Sequence, residues 1–98
     1  MLRGSVGGYT TLVGTLNYTT QDIYSCYLVD TTDGNVYVTL NDRTDEVTVK
    51  KLNSMHKVII TPDEGTIDGA TDYQINTQNH SVKLIKWNGN WYITAIYT

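Results

Sequence analysis

Ser81-Val82-Lys83-Leu84-Ile85-Lys86-Trp87-Asn88-Gly89-Asn90-Trp91-Tyr92-Ile93-Thr94-Ala95-Ile96-Tyr97 is the stretch whose reading decides the fold. Two runs rich in β-branched and aromatic residues, Ser81 to Trp87 and Trp91 to Tyr97, flank Asn88-Gly89. Asn-Gly supplies the positive φ angles of a two-residue hairpin turn, and the flanking side chains fit a pleated surface. The spacing predicts a hairpin that closes the chain.

Working back from it, Tyr73 to Ile75 reads as a short strand. Asp63 to Asp72, with Glu64-Gly65 and Asp68-Gly69, reads as an extended loop with a brief pairing near Ile67. Pro62 cannot donate to a ladder, so it ends a strand over Lys57 to Thr61 that turns Val58 and Ile60 inward. Glu46 to Leu52 places Val47 and Val49 inward, and Asn41 to Asp45 is a polar loop. Val36 to Leu40 alternates, with Val36, Val38 and Leu40 inward and Tyr37 and Thr39 outward. Thr32-Asp33-Gly34-Asn35 carries a hairpin signal. The run it closes, Ile23 to Asp30, is apolar on both faces: Ile23, Tyr27 and Val29 on one, Tyr24, Cys26 and Leu28 on the other. A strand covered on both sides reads this way. Thr11 to Thr19 is a first strand region, interrupted at Gly14. Residues 1–8, with Gly4, Gly7 and Gly8, read as a flexible N-terminal arm, and 9–98 as a single β-sandwich domain.

Composition agrees. Of the 98 residues none is Phe, eight are Tyr and two are Trp. No stretch repeats apolar residues at helical spacing. The expectation is all-β: an antiparallel β-sandwich or jelly-roll-like barrel of about seven to eight short strands. No internal repeat stands out in the letters. Charged residues are 17% of the chain, below the roughly 25% of ordinary domains, which suits a surface that another protein covers. The net charge of −3 and seven scattered basic residues argue against a phosphate-tracking groove, so no nucleic-acid partner is expected. No apolar run approaches the roughly 18 residues of a membrane span, so no membrane is expected either. A lone Cys26 makes no internal disulfide.

An enzyme needs convergent polar groups. Cys26 with His56 or His80 would be a thiol–imidazole pair, but Cys26 falls mid-strand, where a lone cysteine is ordinarily inert packing. Asp63, Glu64, Asp68 and Asp72 offer hard oxygens, yet their spacing matches no established calcium loop and turn-forming Asp accounts for Asp68-Gly69. Asn17-Tyr18-Thr19 and Asn79-His80-Ser81 fit the glycosylation pattern, as chance triplets in an Asn- and Thr-rich chain do. No catalytic residue, cofactor or metal is assigned. The aromatics carry more. In a Phe-free chain they first serve the core; second, they suit subunit contacts, where Tyr and Trp dominate; third, they suit stacking on a glycan. Strand residues on opposite faces cannot all be core. Tyr24, Tyr37, Trp87, Tyr92 and Tyr97 are therefore candidates for an oligomer or partner interface.

A longer string is recognisable: Val58-Ile59-Ile60-Thr61-Pro62, Gly65-Thr66-Ile67-Asp68-Gly69-Ala70, Ser81-Val82-Lys83-Leu84-Ile85 and Trp87-Asn88-Gly89-Asn90-Trp91-Tyr92-Ile93. With Tyr27 to Leu40 before it, this resembles a β-module of tailed-phage virion structural proteins. Lys86-Trp87 departs from the small polar pair usual before the final turn. The resemblance implies a non-enzymatic capsid decoration or head-fibre module on the particle exterior, typically a homotrimer. Its partners would be the major capsid protein or another virion protein. The alternative it implies is a tail-fibre module that binds a receptor or host glycan.

Overall fold

The computed structural model describes residues 9–41 and 45–98, so the expected arm over 1–8 and residues 42–44 of the polar loop lie outside the description. Among the described residues there are nine strands and no helix. The strands are β1 (Tyr9–Val13), β2 (Asn17–Thr19), β3 (Tyr24–Val29), β4 (Val36–Thr39), β5 (Glu46–Lys51), β6 (Val58–Thr61), β7 (Tyr73–Ile75), β8 (Ser81–Trp87) and β9 (Asn90–Tyr97). The all-β expectation is met. They form one sheet in the order β1-β3-β5-β8-β9 and a second in the order β2-β4-β6-β7.

The sense of pairing differs from the expected antiparallel sandwich or jelly roll. β1–β3–β5 and β2–β4–β6 are parallel, and only β5–β8, β6–β7 and β8–β9 are antiparallel. The chain passes from one sheet to the other and back three times, as a short two-sheeted coil. β7, β8 and β9 then cap it. Between the second and third turns the step is constant: Cys26 lies opposite Thr48 and Val36 opposite Val58, 22 residues on in both sheets. Thr32-Asp33-Gly34-Asn35 is accordingly no hairpin. β3 and β4 belong to different sheets, and the Asp-Gly turn makes a corner between them.

Side-chain amides hold the stacked corners together. Asn53 stands one coil above Thr31, accepts the Thr31 N–H at 3.0 Å, and donates to Asp30 Oδ1 at 2.6 Å and Thr32 Oγ1 at 2.7 Å. Asn35 Oδ1 likewise accepts the Lys57 N–H at 2.9 Å. These bonds satisfy corner groups that no ladder reaches. The bonds from Thr32 and Asn53 also hold the Asp30 carboxyl below the usual aspartate range.

The core lies between the sheets. Val13, Val29, Val49 and Leu84 from one meet Val36, Val38, Val58 and Ile60 from the other. At the Thr20–Ile23 corner the filling is aromatic: Tyr27 is fully buried, with Tyr18 tilted against it at 5.7 Å and Tyr24 edge-on at 6.3 Å. Its hydroxyl accepts the Gln21 N–H at 2.8 Å and lies 3.0 Å from both Gln21 O and Tyr24 O. Not every inward position holds an apolar residue. Lys51 follows Val47 and Val49 on the same face and is 0% exposed, its ammonium donating to the Asn53 carbonyl. Burial pushes its pKa below the ordinary lysine value.

Candidate interaction surface

The final hairpin forms as its turn chemistry dictates. Asn88 (φ 53°) and Gly89 (φ 80°) are both left-handed, as a type I′ turn requires. Val82 and Leu84 point into the core, so Ile85 and Trp87 point out. On β9 the register shifts between Lys83 and Leu84, whose partners are Ala95 and Ile93, leaving Thr94 as the extra residue of a bulge. Tyr92 and Tyr97 are an odd number of residues apart and would otherwise face opposite ways. The bulge puts both on the outer face, opposite Ile85 and Ser81.

Three of the five candidate aromatics, Trp87, Tyr92 and Tyr97, thus share one outer face at the β8–β9 end of the larger sheet. All three are exposed, Trp87 most of all at 68%. The other two lie elsewhere. Tyr37, 44% exposed, is on the outer face of the smaller sheet between Asn17 and Ile59. Tyr24 packs against the core beside Tyr27. Ile85 joins the aromatic face, and no pattern in the letters singled it out.

The loop after β6 braces this hairpin from behind. Asp63 Oδ1 accepts the Trp91 indole N–H at 3.0 Å, while Asp63 Oδ2 pairs with Lys86 Nζ at 3.0 Å. Burial alone would raise the Asp63 pKa, but the Trp91 and Lys86 contacts outweigh it and leave the carboxyl below the usual range. Lys86 also lies 5.9 Å above the Trp91 ring, so the lysine of the Lys86-Trp87 departure takes part in this brace while Trp87 does not. Thr66 O accepts Trp91 N–H at 2.8 Å, and Asp68 Oδ1 accepts Ile93 N–H at 3.3 Å. Asp63 and Asp68 are thereby committed to structure. Among the described residues no three His, Cys, Asp or Glu side chains come together as a metal group.

Cys26 is half-buried on the outer face between Thr10 and Thr48, less enclosed than its apolar neighbours suggested. Ile23, expected under cover, is exposed at the corner before β3. Tyr24 and Leu28 are half-buried, so this strand is covered fully on one side only. No family model and no curated protein matches the chain.

Proposed function

We propose that this chain is a non-enzymatic structural module of a tailed-phage particle, carried on the particle exterior as a homotrimer. The observation that carries the reading is the exposed aromatic face of Trp87, Tyr92 and Tyr97 on the hairpin whose sequence resembles such modules. Large, rigid aromatics contribute most to subunit contacts, and a β-sheet face holds them in place at little entropic cost. In this reading the hairpin faces pack around a threefold axis, and the module binds the major capsid protein or another virion protein. A second reading draws on Trp87 alone: an indole this exposed beside a turn suits stacking on a host glycan, as a tail-fibre module would use it.

Analytical ultracentrifugation of the full chain at micromolar concentration tests the trimer. The expected mass is a multiple of three chains, and Trp87→Ser with Tyr92→Ser should remove the factor of three while leaving the circular dichroism unchanged. Copy number and location in purified particles test the virion assignment. A mass with no factor of three, or absence from the particle, would overturn the corresponding part.

A further inference from the structure

The two ends of the coil are finished differently. At one end β7 and β8 pair antiparallel onto the third turn. The outermost strand there, β9, is shielded along Trp91 to Ile93 by Thr66 and Asp68. At the other end β1 pairs only with β3, and β2 only with β4, among the described residues. Gly14 to Leu16 is all that joins β1 to β2, so both unpaired edges lie at the same end.

Among the described residues, the shortness of the three-residue β2 and a register shift at Tyr9/Thr10 are the devices that protect those edges. From Tyr9 to Gln21 there is no charged residue and no proline. Val13 O bonds back to Asp30 N, so alternation turns the amides of Thr10 and Leu12 to the open edge. Leu16 O bonds to Tyr37 N and Thr20 N to Thr39 O, which turns Asn17 and Thr19 outward in the same way. Around these edges stand Tyr9 (70% exposed), Leu12 (65% exposed), Leu16 and Ile23.

We infer that this end is a docking surface for a second copy of the chain, joined head to head about a twofold axis. Strand polarity argues for the copy. β1 and β2 run in opposite directions in facing sheets, and one twofold perpendicular to the sheets pairs β1 with β1 and β2 with β2, both antiparallel, in one step. Charge argues for it as well, since the two edges themselves, from Tyr9 to Gln21, carry no charged residue and meet their own copy without like-charge repulsion. The area is adequate: two strand edges with four large apolar side chains per copy bury on the order of 1,000 Å² in total, where specific contacts begin. The inference does not rest on the virion reading.

The test is the mass of the full chain by analytical ultracentrifugation, with Leu12→Lys as the variant. Leu12 is exposed in the single chain, so the variant should keep the parent's circular dichroism. The expected result is an even number of chains for the parent and half that mass for Leu12→Lys, whether or not a trimer also forms. Hydrogen exchange on the unaltered protein gives a second readout. The amides of Thr10, Leu12, Asn17 and Thr19 should exchange roughly tenfold more slowly when concentration rises about a hundredfold. An odd number of chains, an unchanged mass for Leu12→Lys, or exchange independent of concentration would overturn the inference, and leave the edge to a strand of another protein.

Discussion

Tyr27→Phe isolates one buried hydroxyl and should leave its mark in the pH dependence of stability. Tyr27 is fully buried, and burial pushes its pKa from 10.0 up to about 12. The sign is set by which state holds the proton longer. Between pH 10 and 12 the unfolded chain ionises and the folded one does not, so the shift stabilises the fold fully below pH 10 and is lost as pH rises towards 12. Two pKa units correspond to about 2.7 kcal/mol, a large part of the roughly 5–15 kcal/mol that holds a domain together. The Phe variant lacks that loss, but it leaves the Gln21 N–H without its acceptor, at a cost of about 1–3 kcal/mol at every pH. The parent should therefore be the more stable protein at pH 8, with the gap closing or reversing by pH 12. Tyr18, whose pKa burial also raises, is present in both proteins, and its charge is one of the causes that raise the Tyr27 pKa. Urea unfolding followed by Trp fluorescence at pH 8, 10, 11 and 12 measures the gap. Parallel curves for the two proteins across that range would refute the reasoning.

Two further outcomes follow from the same structure. Gly65 and Gly69 both have positive φ, but a Cβ at Gly65 would lie 2.2 Å from Gly89 O while one at Gly69 meets nothing within 4 Å. Gly69→Ala should cost only the left-handed penalty of about 1–2 kcal/mol, and Gly65→Ala at least twice the fall in thermal midpoint; equal falls would show that the loop does not press on the hairpin. Lys51→Met should raise the thermal midpoint at pH 7, because it removes a buried charge that has no carboxylate partner among the described residues. Since the folded pKa of Lys51 lies below 10.5, the parent gains stability as pH rises towards that value. The advantage of Met should shrink over the same range, and a lower midpoint for Lys51→Met at pH 7 would count against this account.

Strand positions were legible because burial on one face imposes alternation, as in Val36-Tyr37-Val38-Thr39-Leu40, where the valines and Leu40 are buried and Tyr37 is not. The sense of pairing was not legible, since alternation says which side a residue faces and nothing about the strand beside it. Asp33-Gly34 offers a turn, and the same turn serves a hairpin or a corner. Asn53, 22 residues beyond Thr31, bonds across to this corner, and no local pattern reveals that link. The repeat itself is hidden in the letters. Equivalent inward positions hold Tyr27 and Val49, then Val29 and Lys51, so one geometry is met by unlike side chains. The aromatic candidates divided for a similar reason. Tyr92 and Tyr97 share a face only through the bulge at Thr94, and a single extra residue leaves no trace in composition.

The asymmetry between the ends bears on what the chain does. A short coil buries each turn against its neighbours, so an end turn has only one side covered and needs a cap or a partner. Here β7 to β9 cap one end, and the cap carries Trp87, Tyr92 and Tyr97 on its outer face. At the other end β1 and β2 have open edges among the described residues, with Tyr9, Leu12 and Leu16 exposed. Two apolar surfaces of different make, one of side chains on a flat sheet face and one of backbone edges, stand at opposite ends of one small body. Because they share no residue, a substitution at either should weaken only its own contact. With both proposed contacts made, such a body would link two neighbours at once, the geometry that a joining piece of an assembly requires and that an isolated binding domain does not.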